Sequence, residues 1–194
     1  REAIGLALEM LKLPKDSFVA INGFTCYAVY KAIHNEGYET ELLDLDKPSL
    51  LNFSAETLVK SLKKNPKIKV VIIQNTLGNP CDIEKIAKIC KEKNLILIED
   101  LAHSVGTIYK NGKEAGTVGD FVVFSFSQDK IIDAISGGAL IIRNKKYQNY
   151  TLASQGETLQ GWQQTIDRLY PLFTFIIRKT YPLGLGKIIH FLLK

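Results

Sequence analysis

Apolar residues follow two alternating spacings along most of this sequence. At the N-terminus, Ile4, Ala7 and Leu11 recur every three or four positions, which predicts an amphipathic helix. The continuous apolar run at Lys69–Gln74 is typical of a strand that is covered on both faces. The predicted strands are Phe18–Ile21, Tyr38–Asp44, Lys69–Gln74, Leu95–Asp100, Phe121–Phe126 and Gly138–Arg143. The predicted helices are residues 2–12, Cys26–Asn35, a helix capped by Ser54 that runs through Lys64, and a helix capped by Asp82.

Strands that alternate with helices of about ten residues indicate an α/β layer fold with a largely parallel sheet. In such a sheet, ligands bind outside the carboxyl ends of the strands. The Asn-Gly pair within Tyr109–Lys113 predicts a different local structure, a β-hairpin with a two-residue loop. A functional site is therefore expected at the edge where the parallel strands end.

Composition narrows the class of protein. Of the 194 residues, 46% are hydrophobic and 23% are charged, which is typical of a globular protein and argues against a disordered or collagen-like chain. Cys26, Cys81 and Cys90 lack the paired spacing of a zinc module or a disulfide framework. We therefore expect no metal site and a reducing, cytoplasmic environment. No apolar run reaches the roughly 18 residues that span a bilayer.

Charge is distributed unevenly along the chain. Residues 1–142 carry 17 basic and 18 acidic side chains, whereas residues 143–194 carry 8 basic and 2 acidic side chains. A domain that binds nucleic acid spreads basic patches over its folded body. We therefore expect no nucleic-acid partner.

The segment 145–194 is apolar and basic, unlike the body. Pro171 and Pro182 are expected to interrupt any helix, so the pattern predicts two short helices. The first interpretation is that these helices pack on the body or on a further domain. The alternative is that residues 169–194 contact a membrane surface, with Lys and Arg facing anionic headgroups.

Polar side chains collect at the predicted strand ends. Asp100 ends a buried strand, where a carboxylate is costly without a cationic or donor partner, and His103 follows it. Ser125 and Lys130 follow the next long strand, and a glycine pair before the last strand permits close approach of a ligand. Together these groups suit a cofactor with an aromatic cation, a phosphate and an aldehyde. Singly, each also has an ordinary interpretation, such as a surface lysine, a loop-capping carboxylate, or a core histidine or serine.

Four motifs carry a resemblance to a known family: IED-x-AHS-x-G (Ile98–Gly106), G-x-x-GD (Gly116–Asp120), FSF-x-x-x-K (Phe124–Lys130) and the pair Gly137-Gly138. In this order and spacing, residues 1–143 resemble the DegT/DnrJ/StrS sugar aminotransferases, which are pyridoxal phosphate enzymes of fold type I. The resemblance implies a three-layer α/β sandwich around a mostly parallel sheet. It implies a cofactor-binding large domain at 1–144 without its N-terminal edge, and a helical tail at 145–194 with the small domain absent or incomplete.

The resemblance implies a role for each matched position at the reacting end of the cofactor. Lys130 would form the Schiff base and shuttle a proton. Asp100 would pair with the pyridine nitrogen, and His103 would lie near the ring hydroxyl. Ser125 would contact the phosphate.

Two departures from the family pattern bear on the ring and the substrate. Thr25 and Cys26 fall where relatives line the ring face, often with an aromatic residue at the second position. A contact between the Cys26 thiol and the ring would replace stacking there. Asn75 falls where relatives often have His, a position of substrate contact.

These roles imply transamination of a keto sugar carried on a nucleotide, with glutamate or glutamine as the amino donor, for polysaccharide or cell-surface glycan biosynthesis. The lysine at position 130 argues against the family's dehydratases, which carry His there. The resemblance also implies a homodimer whose active sites draw on both subunits. The alternative is a non-catalytic or regulatory member that keeps the cofactor-binding fold. A Rossmann-type nicotinamide enzyme is disfavoured because no G-x-G-x-x-G follows the first strand.

Overall fold

Strands and helices alternate along the chain in the computed structural model, which describes residues 1–46, 51–149 and 161–192. The chain divides into two compact units, Arg1–Ala153 and Ser154–Lys194. Within the described ranges, the first unit contains the strands β1 (Phe18–Asn22), β2 (Glu39–Leu43), β3 (Ile68–Ile73), β4 (Ile96–Asp100), β5 (Phe121–Ser125) and β6 (Gly138–Ile142), and the helices α1 (Glu2–Leu11), α2 (Tyr27–Asn35), α3 (Ala55–Lys64) and α4 (Ile83–Glu92). Each strand and helix predicted for this unit is present.

The strands form one sheet in the order β2-β1-β3-β4-β5-β6. Neighbouring strands from β2 to β5 are parallel, whereas β6 runs antiparallel to β5 and places Gly138 opposite Ser125. The carboxyl ends of β1, β3, β4 and β5 therefore meet at one edge, where β6 begins. This arrangement confirms the predicted α/β class and its mostly parallel sheet.

Helices cover both faces of the sheet. Leu8 of α1 belongs to the same buried cluster as Ile98 of β4, on one face. Leu58 of α3 belongs to the cluster of Leu97, on the other face. Successive residues of a strand alternate between the two faces of the sheet. Full burial of each large apolar side chain contributes about 1.5–3 kcal/mol to the stability of the fold. The first unit is therefore a three-layer sandwich, as expected.

The helix starts follow the predicted capping only in part. Ser54 accepts a hydrogen bond from the N–H of Thr57 at 3.1 Å, as expected of an N-cap. Asp82 occupies the N-cap position of α4, but its side chain makes no capping hydrogen bond. Its carboxylate instead lies 2.9 Å from Lys85 Nζ. The predicted position was right, whereas the predicted contact was wrong because a cation one turn away takes the carboxylate.

The Asn-Gly pair forms a wider hairpin loop than predicted. The N–H of Tyr109 donates to the carbonyl of Lys113 at 2.8 Å, so three residues close the loop. Gly112 is left-handed with φ 79°, but Asn111 is not, and a two-residue loop of the predicted type needs both in that region. The Asn111 side chain instead accepts a hydrogen bond from the N–H of Lys113 at 3.0 Å, which stabilises the wider turn.

The second unit contains a pair of helices, α5 (Gly161–Thr180) and α6 (Leu185–Leu192), joined by a 3₁₀ turn at Tyr181–Leu183. The prediction that Pro171 interrupts a helix was wrong, since Pro171 lies inside α5. A proline removes one backbone hydrogen bond, and the other bonds of this 20-residue helix keep it continuous. Helix α5 ends before Pro182, and Gly184 follows with φ 83°. No helix among the described residues is long and apolar enough to cross a bilayer.

Candidate active site

A cavity of about 500 Å³ lies at the edge where β1, β3, β4 and β5 end. Its walls come from the ends of β4 and β5, from the segments that follow β1, β3, β4 and β5, and from the first turns of α1 and α2. This edge is where parallel α/β sheets place their ligands. We call this space the strand-end cavity. All six residues predicted for the site line it, namely Thr25, Cys26, Asp100, His103, Ser125 and Lys130.

Asp100 presents a buried carboxylate to this cavity. The residue is 3% exposed, and its Oδ1 accepts a hydrogen bond from the N–H of Ala102 at 3.0 Å. Burial raises the pKa of Asp100, while this hydrogen bond and the nearby His103 and Lys130 oppose the rise. A cation bound beside Asp100 would stabilise the ionised carboxylate further, because an opposite charge favours the charged form.

Lys130 projects its amine between two polar neighbours. Its Nζ lies 3.0 Å from His103 Nε2 and 2.9 Å from Asp129 Oδ2, and its side chain is only 14% exposed. A protonated lysine can only donate, so His103 Nε2 then accepts. Ser127 Oγ donates to the other oxygen of Asp129 at 2.7 Å. The bonds from Lys130 and Ser127 lower the pKa of Asp129 to about 2, which keeps a negative charge beside the amine.

The other predicted site residues, Thr25, Cys26 and Ser125, bring hydroxyl and thiol groups to the cavity. Cys26 is exposed and occupies the N-cap position of α2. Thr25 precedes it and lines the cavity as predicted. Ser125 Oγ lies 3.5 Å from Ser127 Oγ. Ser125 also borders an adjoining space of about 310 Å³, which Gly138 lines too.

The glycine pair has a local structural reason in addition to the predicted approach of a ligand. A Cβ on Gly138 would lie 2.5 Å from the carbonyl oxygen of Phe124, so the neighbouring strand β5 requires glycine there. Gly137 has φ 102° and open space around it. The turn into β6 therefore explains both glycines, and the approach of a ligand is not needed to explain either.

The structural role of Glu99 was not predicted from the sequence. Glu99 is fully buried, and its Oε2 accepts from the hydroxyl of Tyr109 at 2.8 Å. Its two oxygens also accept from the backbone N–H groups of Gly116, Val118 and Gly119. The G-x-x-GD motif is thus a loop held by a buried carboxylate, on the face of the sheet opposite to Asp100. The alternation of side chains along a strand was the signal that could have separated the two acids.

Asn75 supports the same buried cluster. It is fully buried, its Nδ2 donates to Tyr109 Oη at 2.8 Å, and its Oδ1 accepts from the N–H of Cys81 at 3.0 Å. Burial and the charge of Glu99 raise the pKa of Tyr109, so this phenol stays protonated and donates. Asn75 is absent from the cavity wall, whereas its neighbours Gln74 and Thr76 line it.

The strand-end cavity is lined by a lysine amine and a buried carboxylate, and it lies at the carboxyl ends of a mostly parallel sheet. This combination of fold and site defines a class of cofactor-dependent α/β enzymes. Comparison with known sequences identifies the family within this class. The chain belongs to the DegT/DnrJ/EryC1/StrS aminotransferase family, whose profile matches residues 1–172. The resemblance predicted from the motifs is therefore confirmed.

Individual relatives agree with this membership. EpsN of Bacillus subtilis, which its name places among pyridoxal phosphate-dependent aminotransferases, is 36% identical over 143 residues, 72% of this chain and 36% of EpsN. GDP-perosamine synthase of Escherichia coli O157:H7 is 31% identical over 172 residues, 87% of this chain and 46% of that protein. The aminotransferase of Psychrobacter cryohalolentis superposes with a TM-score of 0.68 at 28% identity, over 75% of this chain and 36% of that one. This chain spans less than half the length of these relatives.

Pyridoxal phosphate is the cofactor of this family, and the strand-end cavity fits it. Two buried oxygens on the cavity wall, Thr25 Oγ1 and Gln74 Oε1, have no hydrogen-bond partner in the part of the chain that the structure describes. Buried polar atoms are normally paired, so both residues hold hydrogen-bonding capacity at the cavity that no described residue uses. The buried carboxylate of Asp100 suits a cationic ring nitrogen, and the amine of Lys130 suits an aldehyde.

Proposed function

We propose that this chain supplies the cofactor-binding part of a pyridoxal phosphate-dependent aminotransferase that acts on a nucleotide-linked keto sugar, with glutamate or glutamine as amino donor. The observation that carries the proposal is the convergence of Lys130, His103 and Asp100 on the strand-end cavity. The name of the relative GDP-perosamine synthase supports a nucleotide sugar as substrate. We place the product in polysaccharide or cell-surface glycan biosynthesis.

Lys130 is the catalytic base in this proposal. Its amine would hold the cofactor at the aldehyde and would take and return a proton at the substrate carbon, which requires the amine to pass between protonated and neutral states. His103 Nε2 lies 3.0 Å from Lys130 Nζ and belongs to an exposed residue, so it can pass a proton between the amine and solvent. Asp129 holds the amine from the other side.

Asp100 and the wall residues hold the cofactor in place. When bound, pyridoxal phosphate supplies an electron sink for the substrate carbon. Asp100 would keep the ring nitrogen protonated, and its burial would strengthen that interaction because little water screens it. Ser125 would hold the phosphate, and Thr25 and Cys26 would line the ring face.

The proposal is tested by mapping the lysine that binds the cofactor. After incubation with pyridoxal phosphate and reduction with borohydride, mass spectrometry should find the adduct on Lys130. The Lys130→Ala variant should lose it, whereas the matched control Lys113→Ala, at an exposed loop position, should keep it. A folded protein, by circular dichroism, without an adduct on Lys130 would overturn the cofactor assignment.

Amino transfer is tested separately. With glutamate and a nucleotide-linked keto sugar, Lys130→Ala should lower turnover by about 10³-fold or more, as loss of a catalytic base and nucleophile does. Cofactor binding without transfer to any such sugar would favour the non-catalytic alternative. The homodimer implied by the family resemblance and the cytoplasmic location expected from the cysteine pattern stay predictions, which sedimentation velocity and cell fractionation test.

A further inference from the structure

Exposed large hydrophobic side chains are more frequent per residue in the helix pair formed by α5 and α6 than in the first unit. Of the 17 large hydrophobic side chains exposed among the described residues, nine lie between residues 161 and 192. That segment makes up less than a fifth of the described chain. Folded proteins seldom leave contiguous apolar surface exposed without a binding function.

The most exposed of these side chains, Leu183, lies in the turn between the two helices. Leu183 is 84% exposed, Leu185 is 50% exposed and Tyr181 is 49% exposed. We call these three residues the apolar tip. A Cβ on Gly186 would lie 2.3 Å from the carbonyl oxygen of Ile177, so the two helices are in close backbone contact directly behind the tip. The tip is therefore the end of a narrow helical hairpin.

Three cations flank the apolar tip along the chain. Arg178, Lys179 and Lys187 lie within one helical turn of it, and we call them the basic collar. Lys187 Nζ lies 5.5 Å from the centre of the Tyr181 ring, and Lys179 Nζ lies 5.9 Å from that of Phe175. The sequence contains no acidic residue from 168 to 192. Lysine and arginine stems of this kind cover apolar surface while the charged ends remain in a polar layer.

We propose that the apolar tip inserts into the surface of a bilayer that contains anionic lipid, with the basic collar contacting lipid phosphates. An apolar end flanked by cations is complementary to a membrane interface, where acyl chains lie beneath a layer of negative charge. Insertion is shallow, because no described helix can span the bilayer. The proposal stands independently of the aminotransferase reaction, since none of its residues lines the strand-end cavity.

Co-sedimentation of this chain with vesicles tests the contact. Vesicles of phosphatidylcholine with phosphatidylserine should pellet the protein, those of phosphatidylcholine alone should pellet much less, and added salt should weaken binding. The double variant Leu183→Gln, Leu185→Gln should lose about tenfold or more in vesicle affinity. The matched control Leu42→Gln, Ile141→Gln changes two exposed apolar residues of the first unit and should bind like the native chain.

The collar is tested in the same assay. The double variant Lys179→Gln, Lys187→Gln should lose about tenfold in affinity for the anionic vesicles, at roughly 1 kcal/mol per lysine. The matched control is the double variant Lys31→Gln, Lys91→Gln, which should lose little affinity. Circular dichroism checks that each variant is folded. A native chain that stays in the supernatant with both vesicles overturns the proposal, as do tip variants that bind undiminished. If the native chain does not bind vesicles but forms a dimer, and the tip variant dissociates that dimer, then the apolar tip contacts a second copy of the chain instead.

Discussion

Glu99 and Asp100 are adjacent in β4 and almost equally buried, yet their surroundings differ completely. Glu99 accepts hydrogen bonds from three backbone N–H groups and a tyrosine hydroxyl. Asp100 accepts one, from Ala102, and faces a cavity. A buried carboxylate with a donor for each lone pair stabilises a fold, whereas one with few donors is costly. The difference shows that one strand end can serve both structure and ligand binding, because its side chains alternate between faces.

The largest effect is expected from removing the charge of Glu99. Glu99→Gln replaces one accepting oxygen by an NH₂ group that faces donors, so at least one backbone N–H is left unpaired in a buried site. We expect the free energy of unfolding to fall by about 3 kcal/mol, measured by urea denaturation.

The matched control for this variant is Glu114→Gln, at an exposed position after the hairpin loop. It should change stability by no more than about 0.5 kcal/mol. If Glu99→Gln proved as stable as this control, the structural role of Glu99 would be disproved.

A smaller loss is expected from Tyr109→Phe. The hydroxyl donates to Glu99 Oε2 and accepts from Asn75 Nδ2, so its removal leaves the amide of Asn75 without that acceptor while Glu99 keeps its backbone donors. We expect a loss of about 1–2 kcal/mol in the free energy of unfolding. Because both variants act on one network, the double variant with Glu99→Gln should lose less than the two single losses together.

Asp100→Asn should affect stability least, and in the opposite direction. The amide oxygen can still accept from Ala102, and the buried charge is gone. In the cofactor-free protein we expect an unchanged free energy of unfolding or a gain of up to about 1 kcal/mol. The affinity for pyridoxal phosphate, measured by absorbance titration, should fall. A large loss of stability would show that Asp100 is as structural as Glu99.

The dependence of stability on pH sharpens the contrast. Because burial raises the pKa of Asp100, the folded chain holds this proton at pH values where the unfolded chain has lost it. Rising pH therefore destabilises the native protein relative to Asp100→Asn, from the ordinary pKa of 3.8 up to the raised value. Asp129, whose pKa is lowered to about 2, should behave oppositely: its stabilisation is lost as pH falls from 3.8 toward 2. Urea denaturation at a series of pH values, with Asp129→Asn beside Asp100→Asn, measures both signs.

Much of the fold followed from the sequence because its apolar pattern is regular. The run that became β3 could be placed without knowing its partners, and so could the amphipathic helix α1. The local contacts were harder, since Asp82 and Asn111 each had a competing partner that only the folded chain brings close.

The site was predicted as a set of residues but not as a geometry. Strand ends brought Asp100, Ser125 and Lys130 to one cavity, as the parallel sheet required. The contact of Lys130 with His103 joins residues 27 positions apart, and the unpaired oxygen of Gln74 depends on the cavity itself. Neither property has a local sequence signal, because each is created by loops from different strands.

The strand order has a consequence for synthesis of the chain. From β3 onward, each strand pairs with one that has already left the ribosome, so the sheet can grow outward strand by strand on the nascent chain. Lys130 emerges after β5 and is the last of the predicted site residues to be made. Until β5 is made, the edge of β4 that bears Asp100 has no strand partner. We expect the parallel pairings of the sheet to form before Lys130 is added, whereas β6, which begins at Gly138, can pair with β5 only after it.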